Sequence, residues 1–127
     1  MSQLPKLKLW FEGARPKTIP AAVVPVIVGT ASVESSLTIY RLLLALVVSI
    51  ALQVGVNYAN DYSDGIRGTD QDRVGPRRLV GSGLVNAKKV KLAAGISFLV
   101  AAIAGLVLAI VTNLFLILIG CLAILAA

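Results

Sequence analysis

Histidine is absent from the chain, which closes off histidine acid–base catalysis and histidine metal ligation. Cysteine occurs once, at Cys121 inside an apolar run, so no disulfide forms within the chain and a disulfide scaffold is excluded. Charge is scarce. Only 6 of 127 residues are acidic, and all charged residues together make up 14%, against about 25% in soluble domains. Aliphatic residues take their place: 57% of the chain is apolar and the mean hydropathy is +0.89. Both departures are those of a chain whose solvent is lipid. The abundance of Leu, Ile and Val also excludes a disordered chain. The 12 Lys and Arg leave a net charge of +6. In so apolar a chain that excess favours anionic lipid or a phosphorylated substrate over nucleic acid, and no nucleic-acid partner is expected.

The apolar residues fall into runs. Residues 1–17 are a basic, mostly polar opening, with Lys6, Lys8, Arg15 and Lys17 around Trp10 and Phe11. The first apolar run covers 18–33 and holds Pro20 and Pro25. Pro20 suits a first turn, Pro25 kinks a helix, and both spoil the run as a cleaved signal. The second run covers 42–58 and the third 92–111, whose 20 residues match a bilayer core at about 1.5 Å each. Thr112-Asn113 breaks the pattern, and 114–127 is then apolar throughout, too short to cross alone at about 20 residues per span. The expectation is an all-α integral membrane protein with three full transmembrane helices and an incomplete fourth, in one domain over 1–127, as the N-terminal piece of a longer chain. No internal repeat or low-complexity tract is present.

Eleven of the twelve basic residues lie in the opening segment or the 60–91 connection, the exception being Arg41. The positive-inside rule therefore places the N-terminus and the 60–91 loop in the cytoplasm.

The chemistry concentrates between Gln53 and Gly83. Gln53, Asn57, Asn60, Asp61 and Asp64 fall within an arc of about 100° on a helix, a polar stripe at the end of the second run. Gln53 and Asn57 suit interhelical hydrogen bonding, whereas acids at a membrane helix end point to function. Asp61, Asp64, Asp70 and Asp72 arrive within twelve residues, and oxygen-only carboxylate sites suit Mg²⁺, Ca²⁺ or Mn²⁺. Mg²⁺ takes one or two carboxylates and leaves other positions to water and substrate phosphate. Arg67, Arg73, Arg77 and Arg78 are interleaved with these acids, and Arg grips phosphate oxygens in pairs. Acids with arginines read as a diphosphate site, while Lys88, Lys89 and Lys91 suffice as the topology signal. Glycines at 65, 68, 75, 81 and 83 permit turns and close approach of backbone amides to an anion. Asn86 is placed to cap the third helix.

The run Asn60-Asp61-Tyr62-Ser63-Asp64-Gly65-Ile66-Arg67-Gly68-Thr69-Asp70 resembles the first aspartate-rich motif of the UbiA-type membrane prenyltransferases. Asn60 and Asp64 match its first two positions. Gly68 stands at the third, and the acid comes two residues later at Asp70. That longer form, the following Asp72-Arg73 and Gly75–Gly83, and the opening Ala14-Arg15-Pro16-Lys17-Thr18-Ile19-Pro20, resemble the dihydroxynaphthoate polyprenyltransferase branch. The resemblance implies a nine-helix bundle with a lipid-facing cavity and Mg²⁺ held between two aspartate-rich motifs, the second absent from these residues. It implies no activity for these 127 residues alone. As implied roles, Asn60, Asp61, Asp64 and Asp70 hold the metal. Asp61, Asp64, Asp70, Arg73 and Arg78 form the catalytic set, Arg73 and Arg78 clamping diphosphate. Asn57, Asn60, Arg67 and Arg77 line the substrate site. The implied reaction is transfer from a polyprenyl or phytyl diphosphate to 1,4-dihydroxy-2-naphthoate with decarboxylation, on the way to menaquinone or phylloquinone, in a bacterial inner membrane. Other aromatic acceptors, such as 4-hydroxybenzoate, homogentisate or haem and chlorophyll precursors, are alternatives.

Two rival readings are weaker. CDP-alcohol phosphotransferases share the spacing of Asp61, Asp64 and Gly65, but Gly68-Thr69 stands where Ala-Arg belongs and no later Asp pair follows at the right spacing. A transporter piece or inactive fragment would use prolines and acids too, but a broken-helix ion site favours a midplane acid, and these acids lie at a span's end.

Overall fold

The computed structural model describes residues 6–33, 38–68 and 78–126, and most of these are helical, with turns over 78–86. A short helix α1 (Lys6–Ala14) leads through a 3-10 turn (Pro16–Thr18) into α2 (Ile19–Ala31). Then come α3 (Ile39–Arg67), α4 (Ala87–Thr112) and α5 (Phe115–Ala126). Helix is the expected answer here, because backbone amides in lipid must find partners within the chain.

Helix α3 is the hub. It packs along α4 and also against α1 and α2. Its 29 residues extend about 43 Å at 1.5 Å each, longer than a bilayer core of about 30 Å. The expected span over 42–58 is therefore only its apolar part. The helix continues through Asn60, Asp61 and Asp64 and stops at Gly68, whose φ of 70° is the left-handed conformation that suits a C-cap glycine. Arg41, which lies just before the expected second span, sits inside the first turn of α3. It donates from Nη2 to the Val111 carbonyl at 2.8 Å, tying that end of α3 to the end of α4.

Among the described residues, two helices, α3 and α4, are long and apolar enough to cross a membrane. The expected first span over 18–33 is shorter as built: α2 has 13 residues, about 20 Å. Its start is set by the preceding 3-10 turn and by Pro20 in its first turn. Pro25 lies within it and lacks the amide that would bond one turn back. Asn86 caps α4 as expected, its side chain accepting the Lys88 amide at 2.9 Å. Asn113 likewise accepts the Phe115 amide at 2.9 Å at the start of α5.

Helices α3 and α4 approach through small residues. Ala94, Ala101, Ala104 and Ala109 of α4 are buried. A Cβ at Gly55 would come within 2.9 Å of the Phe98 ring, so glycine is what lets that ring lie on α3. Ser49 donates to the Ala22 carbonyl at 2.7 Å, joining α3 to α2. The main buried cluster, however, sits at the far end of α3, where Tyr58 meets Leu79, Val90 and Ala94, with Trp10 and Leu9 against it.

Candidate functional site

The polar end of α3 resolves into two adjacent rows. Asn57, Asp61 and Gly65 follow one line, at i, i+4 and i+8. Asn60, Asp64 and Arg67 follow another, rotated by about 60°. The first row is turned into the protein and the second outward.

In the inner row, Asn57 is 4% exposed. Its Nδ2 donates to the Ala14 carbonyl at 2.9 Å and to the Thr18 hydroxyl at 3.0 Å. Those acceptors flank Arg15, a non-glycine residue with φ of 54° that turns α1 into the 3-10 turn. Asn57 thus fastens a strained corner to α3. One residue on, the Tyr58 hydroxyl donates to the Trp10 carbonyl at 2.8 Å, and the two rings meet edge to face at 5.6 Å.

Asp61 is 1% exposed. Both of its oxygens accept backbone amides of the returning loop: Oδ2 from Leu79 at 2.8 Å and Oδ1 from Val80 at 3.0 Å. Two charge-assisted hydrogen bonds are what allow a carboxylate to lie in so dry a place. The loop is then packed on both sides. A Cβ at Gly13 would lie 2.5 Å from Leu79 Cδ1, and a Cβ at Gly65 would run into the Val80 side chain. Both glycines exist at close approaches, and neither is in a turn.

In the outer row, Asp64 Oδ2 meets Arg78 Nη2 at 3.1 Å. The arginine side chain is 10% exposed and the carboxylate 32%. Asn60 and Arg67 are exposed. The structure therefore gathers Asn60, Asp61, Asp64, Arg67 and Arg78 at one end of α3, with Asn57 one turn below. Asp70, Arg73 and Arg77, which completed the expected metal and diphosphate sets, lie outside the described residues. Sequence reasoning missed the amides of Leu79 and Val80, because backbone donors carry no residue signature. It also missed Tyr58. Glycines at 13 and 65 were visible in the sequence, but their packing role was not.

The donor chemistry fits a hard divalent cation. Asp64 and Asn60 stand one turn apart on the outer row and offer a carboxylate and an amide oxygen. A Mg²⁺ site needs no more than one or two carboxylates when phosphate completes it. Among the described residues, no three acids or cysteines converge on one point. A cation here would therefore rely on substrate oxygens, and Arg78 is at hand to share that substrate's charge.

No family model and no solved structure matches the chain. Curated proteins do. A protein named 1,4-dihydroxy-2-naphthoate octaprenyltransferase from Mycobacterium tuberculosis is 52% identical over 120 residues, 93% of this chain and 41% of the relative. The protein of that name from Mycobacterium leprae is 52% identical over 87% of the chain and 38% of the relative. The one from Escherichia coli is 37% identical over 84% of the chain and 35% of the relative. By sequence, the chain is homologous to one part of proteins named 1,4-dihydroxy-2-naphthoate octaprenyltransferase, and it spans about two fifths of the length of these mycobacterial relatives.

Proposed function

We propose that this chain forms one side of the donor site of a membrane prenyltransferase. The enzyme would transfer a polyprenyl group from its diphosphate to 1,4-dihydroxy-2-naphthoate, with loss of the ring carboxylate as CO₂, in menaquinone formation. Phylloquinone is the product line where the donor is phytyl. The observation that carries this reading is the 52% identity across 93% of the chain to a protein of that name. The Asp64–Arg78 pair at a membrane helix end supports it.

In this reading the allylic C–O bond of the donor breaks, diphosphate leaves, and the electron-rich ring attacks the allylic carbon before CO₂ departs. Charge builds on the leaving diphosphate, so groups fixed beforehand around it lower the barrier. Arg78 binds diphosphate oxygens from a place already set by Asp64. Asn60 and Asp64, with Asp70, would hold Mg²⁺, which when bound supplies positive charge to offset the diphosphate. Arg67 would add positive charge at the same helix end, Arg73 and Arg77 are proposed from sequence to do the same, and Asn57 keeps the wall beneath it in place.

The short α2 supports a larger bundle around this piece, since 13 residues span poorly alone and well among neighbours. Three spans and a fourth within a nine-helix domain, in an inner membrane with the N-terminus and the 60–91 segment (the end of α3, the connection and the start of α4) cytoplasmic, complete the proposal. The distribution of basic residues supports that orientation.

The test is an assay of membranes carrying the complete protein, with dihydroxynaphthoate, a prenyl diphosphate and Mg²⁺. Prenylated, decarboxylated product is expected, abolished by chelation of the metal and by Asp64→Ala. Wild-type turnover in Asp64→Ala would overturn the metal assignment. No product from the wild type would overturn the reaction.

A further inference from the structure

We propose that Asp61 is a positioning residue for the Arg78 guanidinium and not a metal ligand. The proposal deepens the function just given and rests on it. Asp61 stands beside the outer row, in the same acid-rich stretch, yet its geometry is of another kind. Both oxygens are committed, Oδ2 to the Leu79 amide at 2.8 Å and Oδ1 to the Val80 amide at 3.0 Å. At 1% exposure the carboxylate has no open side from which a cation and its water could approach.

The two donors immediately follow Arg78. Pinning the amides of 79 and 80 fixes where the backbone of 78 can lie, and so where its side chain begins. From there the guanidinium reaches Asp64 at 3.1 Å and is left 10% exposed. Asp61 and Asp64 thus hold one loop at two points, the first by its backbone and the second by its charge. The packing is built to the same end. Leu79 fits against Gly13 and Tyr58, and Val80 rests on α3 only because Gly65 has no Cβ. A side chain serving stability alone could hold any loop. This one holds the two residues next to the arginine that faces the donor.

The test compares variants of the complete protein in membranes by their kinetics with prenyl diphosphate and Mg²⁺. Asp61→Asn keeps one acceptor and turns an NH₂ toward a backbone amide. It is expected to raise KM for the prenyl diphosphate roughly 10- to 100-fold, the usual scale for a lost hydrogen bond to a charged group. The Mg²⁺ half-saturation should stay in place, whereas Asp64→Asn should move it. In an Arg78→Ala background, Asp61→Asn should add less than about threefold, because coupled residues do not add. A Mg²⁺ half-saturation that moves in Asp61→Asn as it does in Asp64→Asn overturns the proposal, as does a full further loss on top of Arg78→Ala. Gly65→Ala displaces Val80 while leaving both acids intact. It should show the same rise in KM with unchanged Mg²⁺ dependence, and a wild-type KM there also overturns the proposal, even where Asp61→Asn fails to fold. A wild type without prenyl transfer instead sinks the functional reading. Trypsin then still decides the clamp: cleavage after Arg78 should be slow in wild-type membranes and fast in Asp61→Asn, and equal rates refute it.

Discussion

The polar end of α3 and the apolar remainder of the helices are held together by different means. At the polar end, Asn57, Tyr58, Asp61 and Asp64 each have a partner outside α3, and three of the four reach backbone atoms. The main buried cluster lies beside them. Along the rest of α4, contact with α3 runs through alanines and glycine, while Ile103, Leu106 and Ile110 stay exposed, as do Ile27 and Val28 of α2 and Leu118 of α5. The first region is closed by directional bonds that fix one arrangement. The second is closed only on its small-residue side, and its large side chains face whatever surrounds the helices, lipid or further protein. Chemistry that needs groups fixed in advance belongs in the first.

The largest effect should come from breaking the polar end at its centre. Asp61→Ala orphans two amides at about 1–3 kcal/mol each, so thermal unfolding in detergent should show a loss of about 2–6 kcal/mol. Next comes overpacking. Gly13→Ala puts a methyl on Leu79 and should cost about 1–3 kcal/mol. Its counterpart Gly95→Ala points into open space and should be neutral or gain up to about 1 kcal/mol of helix propensity. Equal costs at the two sites would erase the contrast. Tyr58→Phe removes only the hydroxyl that holds Trp10 and should cost about 1 kcal/mol by the same unfolding measurement. Ser49→Ala breaks the α2–α3 bond within the apolar region, and about 0.6 kcal/mol is expected, the average for polar contacts between membrane helices. Smallest of all, Ile103→Ala should change stability by less than about 0.5 kcal/mol in this chain. A much larger loss in the complete protein would show that further helices cover that face.

Periodicity had made the stripe from Gln53 to Asp64 legible, because 100° per residue is a property of any helix. It could not separate Asn57 and Asp61 from Asn60 and Asp64, since a difference of about 60° in rotation becomes a difference in burial only when a neighbour arrives. Asn86 was readable as a cap because capping is local. The length of α2 was not, because a polar residue such as Thr18 continues an apolar run while leaving its backbone in a 3-10 turn.

What the sequence determined by itself is everything set within a few residues or by composition: helices, an apolar solvent, one polar end rich in acids and arginines, and kinship with the dihydroxynaphthoate prenyltransferases. What only the tertiary structure decided is partnership. Asp61 and Asp64 are the same residue type three positions apart, yet one is spent on the amides of Leu79 and Val80 and the other on the charge of Arg78. The reason is physical. A carboxylate takes whichever donors the folded chain brings within about 3 Å. The nearest donors of Asp61 are backbone amides eighteen and nineteen residues away, which every sequence carries and none displays.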